Sequence, residues 1–278
     1  MARLNMRIRS AGDCLRPGVY RVLARFKRSA YFVYGRHIAS LVDASVGKGP
    51  NHIVVQDLDI GSVHAIEISD SAIYIDGTAF MRSGISEYSS RLEVRKLNLR
   101  KLRKSMYGFE RGVFESASKN SFPNLIGNNK RSVIGSRVDE LLAQQLAAGR
   151  RALKQGALET GVNLLIGAGY GLTPSGDDFM AGYCSGMHLG AAGCSGLRSR
   201  MVEIIENACR TTNVFSRTIL GYCCEAKYYE KAKALLAALI SGAAEEVYDS
   251  ASAMCTVGET SGTDFSFGLL CVLKDILI

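Results

Sequence analysis

Gly167-Ala168-Gly169-Tyr170-Gly171-Leu172-Thr173-Pro174-Ser175-Gly176-Asp177-Asp178 is a glycine-dense loop running into a helix start. The apolar run Val162 to Ile166 feeds it, and Pro174 sets the entry angle. Ser175 can cap the helix, with Asp178 three positions on as its reciprocal partner, where Glu or Gln is commoner. Two nucleotide-binding α/β folds begin in a similar way, and the residues exclude both. Gly171 and Gly176 keep the Walker A spacing, but Asp177 and Asp178 replace its lysine and hydroxyl, and an aspartate repels phosphate. The dinucleotide fingerprint fails because Gly167, Gly169 and Gly171 alternate and the element lies among helices.

Outward from that loop the periodicity is helical. Val138, Leu141, Leu142, Gln145, Leu146 and Gly149 trace one face of an amphipathic helix. Further helices fit 175–191, 197–211, 214–226, 229–241, 243–255 and 261–276. Toward the N-terminus the pattern changes to short strands: Tyr31 to Tyr34, Ile38 to Val42, His52 to Val55, Val63 to Ile68, Ala72 to Ile75 and Leu92 to Leu99. Gly35-Arg36-His37, Gly47 to Pro50, Gly61, Ser69 to Ser71 and Asp76-Gly77 break them. Residues 1–30 are ambiguous, with a short helix expected around Val19 to Phe26, and 103–131 reads as a polar connector. The expectation is an α+β chain: a β-rich module (1–115, a small antiparallel sheet or barrel), a connector (116–132) and a helical domain (133–278) carrying the glycine-serine-aspartate motifs.

The bulk numbers suit a globular chain of 278 residues, 22% charged and 47% hydrophobic. Phe179 to Leu197 carries no Asp, Glu, Lys or Arg, yet its glycines, Ser185, His188 and Ser195 make it a buried core helix rather than a membrane span. The eight cysteines include no C-x-x-C pair and the four histidines are scattered, which predicts free thiols and a cytoplasmic setting. Basic side chains outnumber acidic ones 22 to 11 in residues 1–131, against 12 to 15 beyond. The densest basic run, Arg95 to Lys104, holds no aromatic residue and no nucleic-acid motif, so it reads as a solvated face or a docking surface.

The loop-helix element returns as Thr260-Ser261-Gly262-Thr263-Asp264-Phe265-Ser266-Phe267-Gly268, and both copies read Ser-Gly-x-Asp-Phe-x-x-Gly. Helix starts carry unpaired amides and favour anions. Gly169, Gly171, Gly176 and Gly262 allow close approach of a ligand. Thr173, Ser175, Thr260 and Ser261 offer hydroxyls, as does Ser216 in a third element, Thr211 to Thr218. Asp177, Asp178 and Asp264 are the candidate proton acceptors, and the carboxylates a Mg²⁺ ion would use. The plain alternative is that these residues only cap and pack helices.

Leu165 to Asp178, then Ser216 with Leu220, then Val257-Gly258-x-Thr260-Ser261-Gly262-x-Asp264 resembles the AllH-like subunit family of oxamate carbamoyltransferase. Gly49-Pro50 fits more loosely, and Tyr170 stands where most members have proline. The resemblance implies a cytoplasmic role in allantoin and purine-nitrogen catabolism, in which oxalurate and phosphate are interconverted with oxamate and carbamoyl phosphate. It implies companion subunits and a carbamoyl- or phosphate-bearing substrate, without nucleic acid or membrane. Two other readings stand beside it: a non-catalytic ligand-binding or assembly subunit, and a metal-dependent phosphotransfer enzyme.

Overall fold

The computed structural model describes residues 6–93, 98–127, 136–189 and 195–277. The chain forms two compact units, Met1–Arg91 with Lys227–Glu230, and Leu92–Ala226 with Lys231–Ile278.

The first unit is a curled nine-stranded sheet, as the α+β reading expects. Its strands are β1 (Arg7–Gly12), β2 (Gly18–Arg25), β3 (Ser29–Tyr34), β4 (His37–Asp43), β5 (His52–Gln56), β6 (Ala65–Ile68), β7 (Ala72–Ile75), β8 (Thr78–Met81) and β9 (Ser86–Tyr88). The sheet order is β8-β7-β6-β2-β3-β4-β5-β1-β9, antiparallel except for the β4–β5 and β1–β9 pairs. Asp76 and Gly77, both at positive φ, make the two-residue turn that sets Ile75 opposite Thr78. Tyr20, Phe32, Leu41, Ile53, Ile66 and Ile73 fill the concave core. The helix expected around Val19 to Phe26 is instead β2: Tyr20 is fully buried between exposed Val19 and Arg21, a period of two, and the strand is paired on both sides. The returning residues 227–230 stitch onto this unit, Tyr228 N–H donating to Ser90 O (3.0 Å) and Tyr229 Oη–H to Asn51 Oδ1 (2.9 Å).

The second unit is helical: α1 (Leu99–Glu115), α2 (Phe122–Leu125), α3 (Arg137–Lys154), α4 (Leu158–Leu165), α5 (Ser175–Leu189), α6 (Ser195–Ala208), α7 (Val214–Cys224), α8 (Glu230–Ser241), α9 (Ala244–Cys255) and α10 (Ser261–Leu277). Glu230 opens α8 and also belongs to the first unit. Two expectations are corrected here. Leu99 opens a helix rather than ending a strand, and the first part of the supposed connector, Arg103 to Glu115, belongs to α1; residues 94–97 and 128–131 lie outside the described set. The core positions of α1, Leu102, Ser105, Phe109, Gly112 and Val113, do recur at helical spacing, but dense basic residues mask the pattern. In α3 the buried face is rotated: Val138 and Leu141 are exposed, and Ala143, Leu146, Gly149, Ala152 and Leu153 face inward.

The two helices that begin with the repeated element pack directly on each other. A Cβ at Gly182 would lie 1.8 Å from Phe265 O, and one at the equivalent Gly268 would lie 2.0 Å from Phe179 O. Gly186 in turn meets Leu269 and Val272, so contacts advance together along both helices and α5 and α10 run parallel. Their N-termini therefore lie at the same end. Nearly every residue of α5 is buried, which meets the expectation for the uncharged stretch from Phe179 as far as Leu189. Leu197 is exposed in α6, and residues 190–194 lie outside the described set. No helix among the described residues is long and apolar enough to cross a membrane.

Candidate functional site

At that shared end lie Asp178 (6% exposed) and Asp264 (0%). The helix geometry brings them there: each is the fourth residue of its helix, and backbone-to-backbone packing at Gly182 and Gly268 holds the axes close. Asp264 Oδ1 accepts from Phe122 N–H at 2.5 Å and so caps α2 from a distant part of the chain. Its Oδ2 has no partner, nor has Asp178 Oδ2, and both atoms are buried. Unsatisfied buried carboxylate oxygens are costly and call for a physical account.

Burial, above all, pushes Asp264 up to about 7, against the Phe122 amide and the Ser175 and Thr260 hydroxyls, which pull it down. Asp178 rises well above the carboxylate range, first through burial and then through the charge of Asp264, with Ser261 and Thr173 opposing. Two carboxyls that repel each other in an apolar setting titrate as a pair and retain a proton where isolated aspartates have lost it. The apolar setting is real: Phe122, Phe179 and Phe267 cluster beside them, with ring centroids 4.6 to 5.9 Å apart.

The serines do not serve the capping role expected of them. Ser175 of α5 lowers the pKa of Asp264 on α10, while Ser261 of α10 lowers that of Asp178 on α5. The partnership is crossed between copies. Thr173 Oγ1 and Ser261 Oγ share a hydrogen bond at 2.8 Å, joining the glycine loop to the start of α10. Thr173, Thr260 and Ser261 are half-buried, so a hydroxyl rim stands over the carboxyl pair.

Other candidates fall outside that rim. Asp177 is 2% exposed and its two oxygens accept from Gly167 N–H (2.7 Å) and Thr212 Oγ1–H (2.6 Å), which clamps the glycine loop to the entrance of α7. Asn213 caps α7 and donates to Leu172 O at 2.9 Å, a second tie to the same loop. Ser216 Oγ is buried without a partner and makes no described contact with the carboxyl pair. The amides of Gly176 and Gly262, offered by sequence as anion donors, are turned inward to Ala168 O (2.8 Å) and Val257 O (3.0 Å). A Cβ at either glycine would strike the carbonyl of Leu165 or Met254, so both are needed for packing. Gly169 (φ +134°) brings its backbone against Ser175 N, while Gly171 is exposed in the loop.

Sequence reasoning placed Thr212 and Asn213 in the third element, with Asn213 as a helix cap, but missed their ties to the glycine loop, and it missed Phe122. The turn Ser118 to Pro123 held the only hint for Phe122, a short cap sequence in a stretch read as connector. Mg²⁺ fits the carboxyl pair poorly, since no group of three His, Cys, Asp or Glu side chains among the described residues could hold a metal.

The family model described as oxamate carbamoyltransferase subunit AllH matches residues 165–273, a span that contains the glycine loop, α7 and both copies of the element. The resemblance seen in the motifs is thereby borne out over that span, and the family's name is that of one subunit in a multi-subunit enzyme. No curated protein and no solved structure matches the chain.

Proposed function

We propose that this chain is a carbamoyltransferase subunit that contributes the Asp178–Asp264 pair, with its rim of Thr173, Thr260 and Ser261, to the transfer of a carbamoyl group between phosphate and the amide nitrogen of oxamate. The observation that carries the reading is the pair of buried carboxyls, each with an orphaned oxygen, at one end of two parallel helices. In the direction of oxalurate synthesis the amide nitrogen attacks the carbamoyl carbon. A new N–C bond forms, the C–O bond to phosphate breaks, and the nitrogen sheds one proton. A carboxyl pair that carries one proton has one ionised member to accept it and one neutral member to donate a hydrogen bond to the oxyanion. The rim hydroxyls orient the substrate, and Asp177 holds the glycine loop in place as a positioning residue. Opening of the Thr173–Ser261 bridge admits the substrate.

The test is turnover by the enzyme reconstituted with its companion subunits. Asp178→Asn and Asp264→Asn keep the shape and remove the proton chemistry, and are expected to lower kcat by 10²- to 10⁴-fold while the assembled complex forms normally. Full turnover by both variants overturns the proposal in favour of an assembly or effector-binding subunit.

A further inference from the structure

A cleft of about 370 Å³ opens farther along α10, among α1, α3 and α5, and neither Asp178 nor Asp264 lines it. Asp264 and Cys271, the latter in its wall, are seven residues apart on one helix, about 10 Å of rise. The lining has two characters. Phe114, Phe267 and Leu270 make one part apolar, whereas Arg150, Lys154 and Lys274 face Glu110 and Asp275 in the other.

The charges do not cancel. Lys274 is spent on Glu110, Nζ to Oε1 at 2.5 Å. Asp275 alone answers both Lys154 and Arg150, whose fields oppose the upward push of burial on its carboxyl. One positive charge is left over. The Arg150 guanidinium lies over the Phe267 ring, 5.3 Å from its centroid, which orients the planar fork. Beside them Tyr183 is 6% exposed and lines the cleft.

We propose that this cleft is a second binding site, for a small carboxylate carried on an apolar stem. The carboxylate takes the Arg150 fork, as guanidinium and carboxylate geometries match two bonds at once. Lys154 balances the charge and the Tyr183 hydroxyl donates to an oxygen of the ligand. The stem lies on Phe267 and Leu270. Phosphate has the charge for the fork but no stem for the apolar wall.

The site is independent of the carbamoyl-transfer reading and is tested apart from it, by calorimetry and thermal shift on the whole chain. The probes are benzoate, its neutral analogue benzamide, and inorganic phosphate, each at millimolar concentration. Benzoate is expected to bind and raise the melting temperature, and benzamide to do neither. Arg150→Gln is expected to weaken benzoate at least tenfold and Lys154→Gln to weaken it less, both with unchanged circular dichroism, while Asp178→Asn binds benzoate as the native chain does. Three results overturn the proposal: no benzoate binding, equal binding of benzamide, or benzoate affinity indifferent to Arg150→Gln. Phosphate bound more tightly than benzoate overturns the assignment to carboxylates.

Discussion

The two copies of Ser-Gly-x-Asp-Phe-x-x-Gly share a scaffold and differ in what their aspartates hold. In both, the first glycine is pressed on a carbonyl of the preceding segment and the last on the phenylalanine carbonyl of the other copy. The helix starts are thus local twofold equivalents, down to the crossed serines. The x positions diverge. Asp177 clamps a loop through two hydrogen bonds, while Thr263 Oγ1 accepts a single long one from Ser118 N–H at 3.4 Å. So do the partners of the aspartates: Asp264 is anchored to the Phe122 amide, and Asp178 faces only hydroxyls and a second carboxyl. Packing demands the equivalence, whereas the chemistry depends on its breakdown.

The largest effect is expected where the copies are most alike. Gly182→Val and Gly268→Val force side chains into carbonyl oxygens about 2 Å away, a backbone conflict that no rotamer relieves. Both variants are expected to lose soluble expression or the cooperative melting transition, and to a similar degree. Gly221→Ala in α7 meets nothing within 4 Å and is the control; it gains up to about 1 kcal/mol of helix propensity. A stable Gly268→Val beside an unfolded Gly182→Val would break the equivalence.

Next comes the asymmetry of the aspartates. Asp264→Ala strands the Phe122 amide in the core, at a cost of about 1–3 kcal/mol on top of the lost packing. Asp178→Ala strands no backbone group, so Asp264→Ala is expected to be the less stable of the two in urea or thermal melts. Equal losses would mean that α2 does not depend on its remote cap.

How much of this was legible follows the same division. Both copies, the helix starts at 175, 214 and 261, and several hairpin turns are written in local residue chemistry: glycine spacing, caps and the Asp76-Gly77 turn. Strands β8 and β9 are short and largely exposed, with no apolar alternation to betray them. The crossed serines and the Phe122 tie join residues far apart in the chain, and no local pattern encodes such a partner. Ser175 and Asp178 do look like a capping box, since one helix considered alone gives them no other company.

The subtlest difference is one of pH. Asp264 folds with its pKa raised to about 7, and Asp178 with its own raised well above the unfolded value. A raised carboxyl means that the native state holds protons the unfolded chain has released. The resulting stability is complete below about pH 4 and is lost as pH rises through 7. Asparagine stays neutral throughout, so Asp264→Asn and Asp178→Asn are expected to melt a few degrees above the native chain at pH 8 and to lose that advantage near pH 5. Asp264→Asn also removes the charge that adds to burial in raising Asp178, and is expected to lower the remaining titration while burial keeps it above the ordinary range. Thermal melts of the three proteins across pH 5 to 8 decide the point. Native and variant curves that run parallel would mean that the carboxyls are already ionised in the fold, and that a shared proton plays no part in the site.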